Sequence, residues 1–220
     1  GHPRRAGGSL MGAPGSAAAR RTEGPGARLG PLAPPLLLLA VMWIAETVDL
    51  ILGGQLDGAG IDARNTDGLL GVLLAPFLHG GFEHLMSNTV PLLVLGTLVA
   101  TAGRALFWRV TATVILLGGL STWLIAPPAT ITIGASGLVF GYLGYLLVAG
   151  VRTRHWRDLL VGAVVLLVYG TLLIGALPWA VAANVSWQAH LTGALAGALA
   201  AWWYAPRPRT AIRSGAGTSP

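Results

Sequence analysis

Six long apolar runs, separated by short polar connections, restrict what this chain can fold into. They lie at about residues 32–53, 83–102, 105–126, 135–150, 158–178 and 187–204. A helix needs about 20 apolar residues, each rising about 1.5 Å, to cross the hydrocarbon core of a bilayer. Five of the runs approach that length, while the fourth is short and is expected to start below the membrane surface. The predicted fold class is an all-α membrane protein, a bundle of six transmembrane helices. Composition agrees, because only 10% of the 220 residues are charged and 54% are hydrophobic. A soluble domain carries roughly a quarter charged residues.

The basic residues give the orientation. All 14 are arginine, and the formal net charge is +6. Arg4, Arg5, Arg20, Arg21 and Arg28 precede the first run, and Arg104 and Arg109 follow the second. Arg152, Arg154 and Arg157 follow the fourth, and Arg207, Arg209 and Arg213 follow the sixth. With six spans these all fall on one side, and only Arg64 falls on the other. Arginine-rich connections stay in the cytoplasm, which places both termini there. The positive charge is therefore explained by membrane orientation rather than by a nucleic acid partner. Residues 1–30 and 206–220, rich in Gly, Ala, Pro and Arg, read as disordered cytoplasmic tails around a membrane domain at 31–205. The chain has no cysteine, which excludes disulfides and a thiol nucleophile. The first outer connection, about 54–82, is the longest, and its apolar stretch Leu69 to Leu78 is too short to span. It is expected to lie in the outer interface.

Polar residues inside a bilayer are costly and usually face the bundle interior or a water-filled cavity. The second, fourth and sixth spans all begin on the outer side. His84 and Asn88 open the second, Ser136 the fourth and His190 the sixth, so all four sit at one shallow depth. Ser136 lies in Gly134-Ala135-Ser136-Gly137, where glycines permit a tight turn into a helix whose first N–H groups are free. Taken alone, this fragment fits a small structural residue. His190 is followed by Gly193 and Gly197 on one helix face, and the fourth span carries Gly137 and Gly141. Small-residue faces let helix backbones approach closely, which would bring His190 beside Ser136. His84 and Asn88, four residues apart, share a face and can both donate hydrogen bonds. His79 is a loop-stabilising residue or a metal ligand. Glu46 and Asp49 share a face of the first span, and Glu46 is read as structural.

The segments His84-Leu-Met-Ser-Asn88, Gly134-Ala-Ser136-Gly137 and Ala189-His190-Leu-Thr-Gly193-Ala-Leu-Ala-Gly197 resemble, in order and in helix, the motifs of the rhomboid intramembrane serine proteases. Phe77-Leu78-His79-Gly80-Gly81 is similar to the family's first loop. The resemblance covers about residues 35–205. It implies a six-helix rhomboid-like bundle in which Ser136 attacks the scissile carbonyl and His190 takes its proton, without an Asp. His84, Asn88 and the Ser136 backbone N–H would form the oxyanion hole, and Phe140 would stack on the base. Substrates would be transmembrane proteins, cleaved near the outer face, with the lipid bilayer as surroundings and no cofactor, metal or nucleic acid. The expected place is a bacterial cell membrane, crossed several times; the oligomeric state is left open. Two positions depart from the family pattern. A Trp-Arg pair common in the first loop is replaced by Leu70 and Gly71, and a Glu late in the second helix by Ala100. Both features support the loop in the family rather than perform chemistry. Alternative readings are a catalytically silent member that binds membrane clients, a small transporter, and a metal site of His79, His84 and His190.

Overall fold

The structure, a computed structural model, describes residues 29–153 and 185–206, together with Leu160, Val164 and Leu167. The two expected tails and most of the expected fifth span lie outside the described residues. Five long helices are described: α1 (Ala33–Ile51), α2 (Phe82–Thr101), α3 (Arg104–Ile125), α4 (Ser136–Thr153) and α5 (Trp187–Tyr204). They match the first four expected spans and the sixth within a few residues. Among the described residues, four segments are long and apolar enough to cross a membrane, namely α1 with its leading turn (Gly30–Ile51), α2, α3 and α4. The protein is an all-α integral membrane protein.

Local sequence sets the helix ends. Pro34 and Pro35 open α1, where a missing N–H leaves no intrahelical bond unmade. Gly81, at φ +112°, turns the chain into α2. Ser186 caps α5, its hydroxyl accepting a 3.3 Å hydrogen bond from the Ala189 N–H. At its other end, α4 runs to Thr153 rather than stopping near 150, and Arg152 there lies 4.3 Å over the Trp202 ring of α5.

Helix α5 presents small and polar residues to its neighbours. It lies against α4 and α3, and buries Gln188, His190, Thr192, Gly193, Ala196, Gly197, Ala200 and Ala201. A β-carbon at Gly193 would overlap the Gly137 carbonyl oxygen, and one at Gly197 the Gly141 carbonyl oxygen. Gly144 meets the Ala194 carbonyl in the same way. The two helices therefore touch backbone to backbone, as their glycine faces predict. Beside this contact, the α3 segment Val114–Gly118 widens into a π-helical turn. A β-carbon at Gly118 would stand 3.4 Å from the Gly193 Cα. Next to it the buried Thr122 and Thr192 hydroxyls pair at 2.7 Å. Leu85, Leu92 and Leu95 of α2, Phe107 of α3 and Tyr142 and Leu143 of α4 fill the adjoining core. The Tyr142 and Thr111 hydroxyls close this layer at 2.7 Å.

The long first connection is helical through Thr66–Phe77 and leaves Leu69, Leu70, Leu73 and Leu74 exposed. A two-stranded antiparallel pair, β1 (Ile61–Asp62) and β2 (Ile131–Thr132), ties it to the segment before α4, with Ile61 opposite Thr132. Gly71 lies against the Gly60 carbonyl, where no side chain fits. The loop thus closes by backbone contact at one of the two positions where the family pattern carries a Trp-Arg pair. Its far side is held by Arg64, which donates to the Ala126 carbonyl at 2.9 Å, and by Trp123, which donates to the Asn65 carbonyl at 2.8 Å.

Gly197→Val should separate α4 from α5, because overpacking a tight contact typically costs about 1–3 kcal/mol and here backbone must move. The expected result is a lower thermal midpoint in detergent. An unchanged midpoint would show that the helices do not depend on this approach.

Candidate active site

Helix α4 begins at Ser136, so the hydroxyl sits on the first helical residue with free backbone N–H groups around it. The turn that delivers it needs Gly134, whose φ of +114° suits glycine alone. Gly134 also abuts His84: a β-carbon there would lie 2.8 Å from the His84 Nε2. Two bonds from the first loop hold this turn. The Gly134 N–H donates to the Ala75 carbonyl at 2.8 Å, and the Ala135 N–H donates to His79 Nε2 at 3.2 Å.

His79 is therefore a loop anchor. It is 1% exposed, and its other nitrogen, Nδ1, makes no hydrogen bond of good geometry. Burial, with a smaller push from His84, lowers its pKa from 6.5 to about 4. The neutral ring must carry its proton on Nδ1, because Nε2 accepts. Its edge meets the His84 ring at 5.1 Å. His84 Nδ1 in turn accepts from the Gly80 N–H at 3.4 Å, which leaves the His84 proton on Nε2, the nitrogen beside Gly134. Asn88, one turn further along α2 and buried, donates one Nδ2 hydrogen to the His84 carbonyl at 3.0 Å and keeps a second.

His190 comes from α5. Its ring stacks on Phe140, with centroids 4.2 Å apart and planes 9° from parallel. Phe140 follows Ser136 by four residues, so both side chains project from one face of α4. The imidazole therefore lies over the face that carries Ser136. The neighbouring backbones agree, since Gly137 borders Ala189 and Gly193. His190 is buried, at 7% exposed, and Ser136 is half-buried.

Ser136, His190, His84, Asn88 and Phe140 line one cavity of 250 Å³. It opens on a larger vestibule of 620 Å³ that shares His84, Ser87, Thr132, Ile133, Val185 and Ser186. Gly134 and Gly137 shape the turn into α4, and Gly193 and Gly197 set its distance from α5. The metal reading finds no support in the geometry: among the described residues no three His, Cys, Asp or Glu side chains converge on a point. Glu46 does not line the cavity. It is buried at the end of α1 near Asp49 and Asp57, with one carboxylate oxygen unpartnered, while Asp49 accepts from the Leu56 N–H at 2.6 Å.

Three of the cavity-lining residues carry signals that sequence reasoning passed over. Ser87 is three residues from His84, on its face, and Ser186 is both the cap of α5 and one turn before His190. Pro91 breaks the α2 hydrogen-bond ladder beside the cavity. Thr132 and Ile133 belong to β2 and its end, where two residues leave no readable periodicity.

A hydroxyl at a helix N-terminus, an imidazole stacked over the same helix face, and two side-chain donors across the cavity are a set suited to acyl transfer. The sequence comparison settles the family. A model of the rhomboid domain matches residues 67–207. The chain belongs to the rhomboid family. A protein of Mycobacterium tuberculosis described as uncharacterized is 48% identical over 173 residues, which is 76% of this rhomboid and 72% of the relative. One from Mycobacterium leprae, described in the same way, is 43% identical over 190 residues, 83% and 75% of the two chains. A putative rhomboid protease of Bacillus subtilis is 30% identical over 134 residues, 58% of this rhomboid and 63% of the relative.

The anchor at His79 has a pH signature. Its folded pKa lies below its unfolded value, so the unfolded chain binds more protons between the two. The stability it confers is complete above pH 6.5 and is lost as pH falls from 6.5 toward about 4. Thermal midpoints measured across that window should fall for the wild type and fall less for His79→Gln, whose amide oxygen can still accept from Ala135. Identical slopes would contradict the anchor.

Proposed function

We propose that this rhomboid is an intramembrane serine endopeptidase that hydrolyses transmembrane proteins through a Ser136–His190 dyad. The observation that carries the reading is the stacking of His190 on Phe140, which fixes the imidazole over the face of α4 that presents Ser136. In the first step the Ser136 hydroxyl attacks the scissile carbonyl carbon and its proton passes to the His190 imidazole. The carbonyl oxygen becomes an oxyanion beside the start of α4, where His84 Nε2–H, the second Asn88 Nδ2 hydrogen and the Ser136 backbone N–H can meet it. His190 then gives its proton to the leaving amine, and water releases the acyl group by the reverse route. Phe140 holds the ring in one orientation through both transfers.

Substrates have to present an extended backbone at this depth. A helix hides its carbonyl carbons behind side chains and hydrogen bonds, so a transmembrane segment must unwind locally before attack. Segments with helix-destabilising residues near the outer interface fit that requirement. The arginine distribution supports an orientation with both termini in the cytoplasm and the cavity open toward the outer face of a bacterial membrane.

Reconstituted in liposomes with a transmembrane substrate, the wild type should cleave, while Ser136→Ala and His190→Ala, folded to the same midpoint, should not. Turnover retained by either variant would eliminate the dyad. His84→Ala and Asn88→Ala should each lower kcat by about 10²–10³, the usual effect of removing one oxyanion donor. Wild-type kcat in both would show that the oxyanion lies elsewhere.

A further inference from the structure

The vestibule above the cavity carries one charged group that the proposed chemistry does not use. Glu83 stands in the first turn of α2, one residue before His84, and is exposed on the vestibule wall. Among the described residues, it is the only Asp, Glu or Arg lining either the cavity or the vestibule. A second carboxylate lies just behind the rim, where a β-carbon at Gly80 would stand 3.9 Å from the Asp57 Oδ2. The described cation in the first loop, Arg64, is directed away to the Ala126 carbonyl. The described lining of the approach to Ser136 therefore carries one acidic side chain and no arginine.

A vestibule of 620 Å³ falls within the range of ligand sites, roughly 300–1,000 Å³. Because it shares His84, Ser87, Thr132, Ile133, Val185 and Ser186 with the cavity, chain bound at Ser136 has a continuous route past Glu83. We propose that Glu83 is a specificity-determining residue that selects substrates carrying a basic side chain within a few residues of the scissile bond. This inference rests on the endopeptidase reading of the site. Like charge on the substrate would be repelled by Glu83 and opposite charge attracted, so discrimination comes from both. Partly exposed ion pairs are weak, which bounds the preference at about fivefold between Lys and Gln at the same substrate position.

A bland role for Glu83 also exists, because an acidic residue in the first turn stabilises the helix N-terminus. That role would change stability, not the ratio between two substrates, so the ratio is the readout. The full chain in liposomes would be given one transmembrane substrate in three versions, with Lys, Gln or Glu near the cleavage site. For the wild type, kcat/KM should fall in the order Lys, Gln, Glu, and the spread should shrink in high salt. Glu83→Gln should bring the three together, Glu83→Lys should invert the order, and Glu83→Asp should keep it. Cleavage of all three at equal rates by the wild type, or the same spread in Glu83→Gln, would overturn the specificity role and leave the dyad intact. No cleavage of any version by folded protein would overturn the endopeptidase reading and this inference with it.

Discussion

The close approach of α4 and α5 carries the rest of the site. Gly193 on Gly137, Gly197 on Gly141 and Gly144 on Ala194 set two backbones against each other with no side chain between them. Helices in a bilayer gain little from hydrophobic exclusion, so packing of this kind is what holds them together. Side chains at Ser136 and His190 flank the uppermost of these contacts. Their placement on one cavity thus follows from the glycine spacing. The buried Thr122–Thr192 pair and the π-helical turn of α3 pack against the same stretch of α5, beside Gly193.

Above this pair sits a second layer of control. The first loop reaches across the bundle and holds the turn before Ser136 through the Ala75 carbonyl and His79 Nε2. The same loop positions His84 through Gly80, and His84 in turn fits against Gly134. The proposed nucleophile and one proposed oxyanion donor are thereby referred to one piece of backbone. The chain achieves this without side chains large enough to fill the Leu70–Gly71 position as a Trp-Arg pair would. Gly71 is instead pressed onto Gly60, and the β1–β2 pair locks the register.

Much of the fold was legible because a membrane imposes long apolar runs, and run length translates directly into helices. The bounds of α1, α2, α3 and α5 differ from expectation by at most two residues. The end of α4 runs three residues further, where Arg152 meets Trp202, a contact 50 residues away in sequence. Glycine spacing at Gly137, Gly141, Gly193 and Gly197 was also readable, since a helix face has a fixed period. Short strands and the π-helical turn were not, and His79 was readable as a loop-stabilising residue but its partner was not. Two-residue strands have no pattern, and the bond from Ala135 to His79 spans 56 residues. Such contacts are selected by the assembled bundle and leave no local trace. Among the site residues, Ser136, His84, Asn88, His190 and Phe140 were singled out from depth, spacing and motif, and the structure brings all five to one cavity.

Reactivity of Ser136 itself is the most direct measure of whether this cavity is a catalytic one. A fluorophosphonate probe forms a covalent bond only with an activated serine hydroxyl, and peptide mapping by mass spectrometry identifies the residue modified. The folded wild type should carry the label on Ser136, and His190→Ala should not. A folded wild type that remains unlabelled, or is labelled equally without His190, would contradict an imidazole-activated serine and leave a rhomboid scaffold without the proposed chemistry.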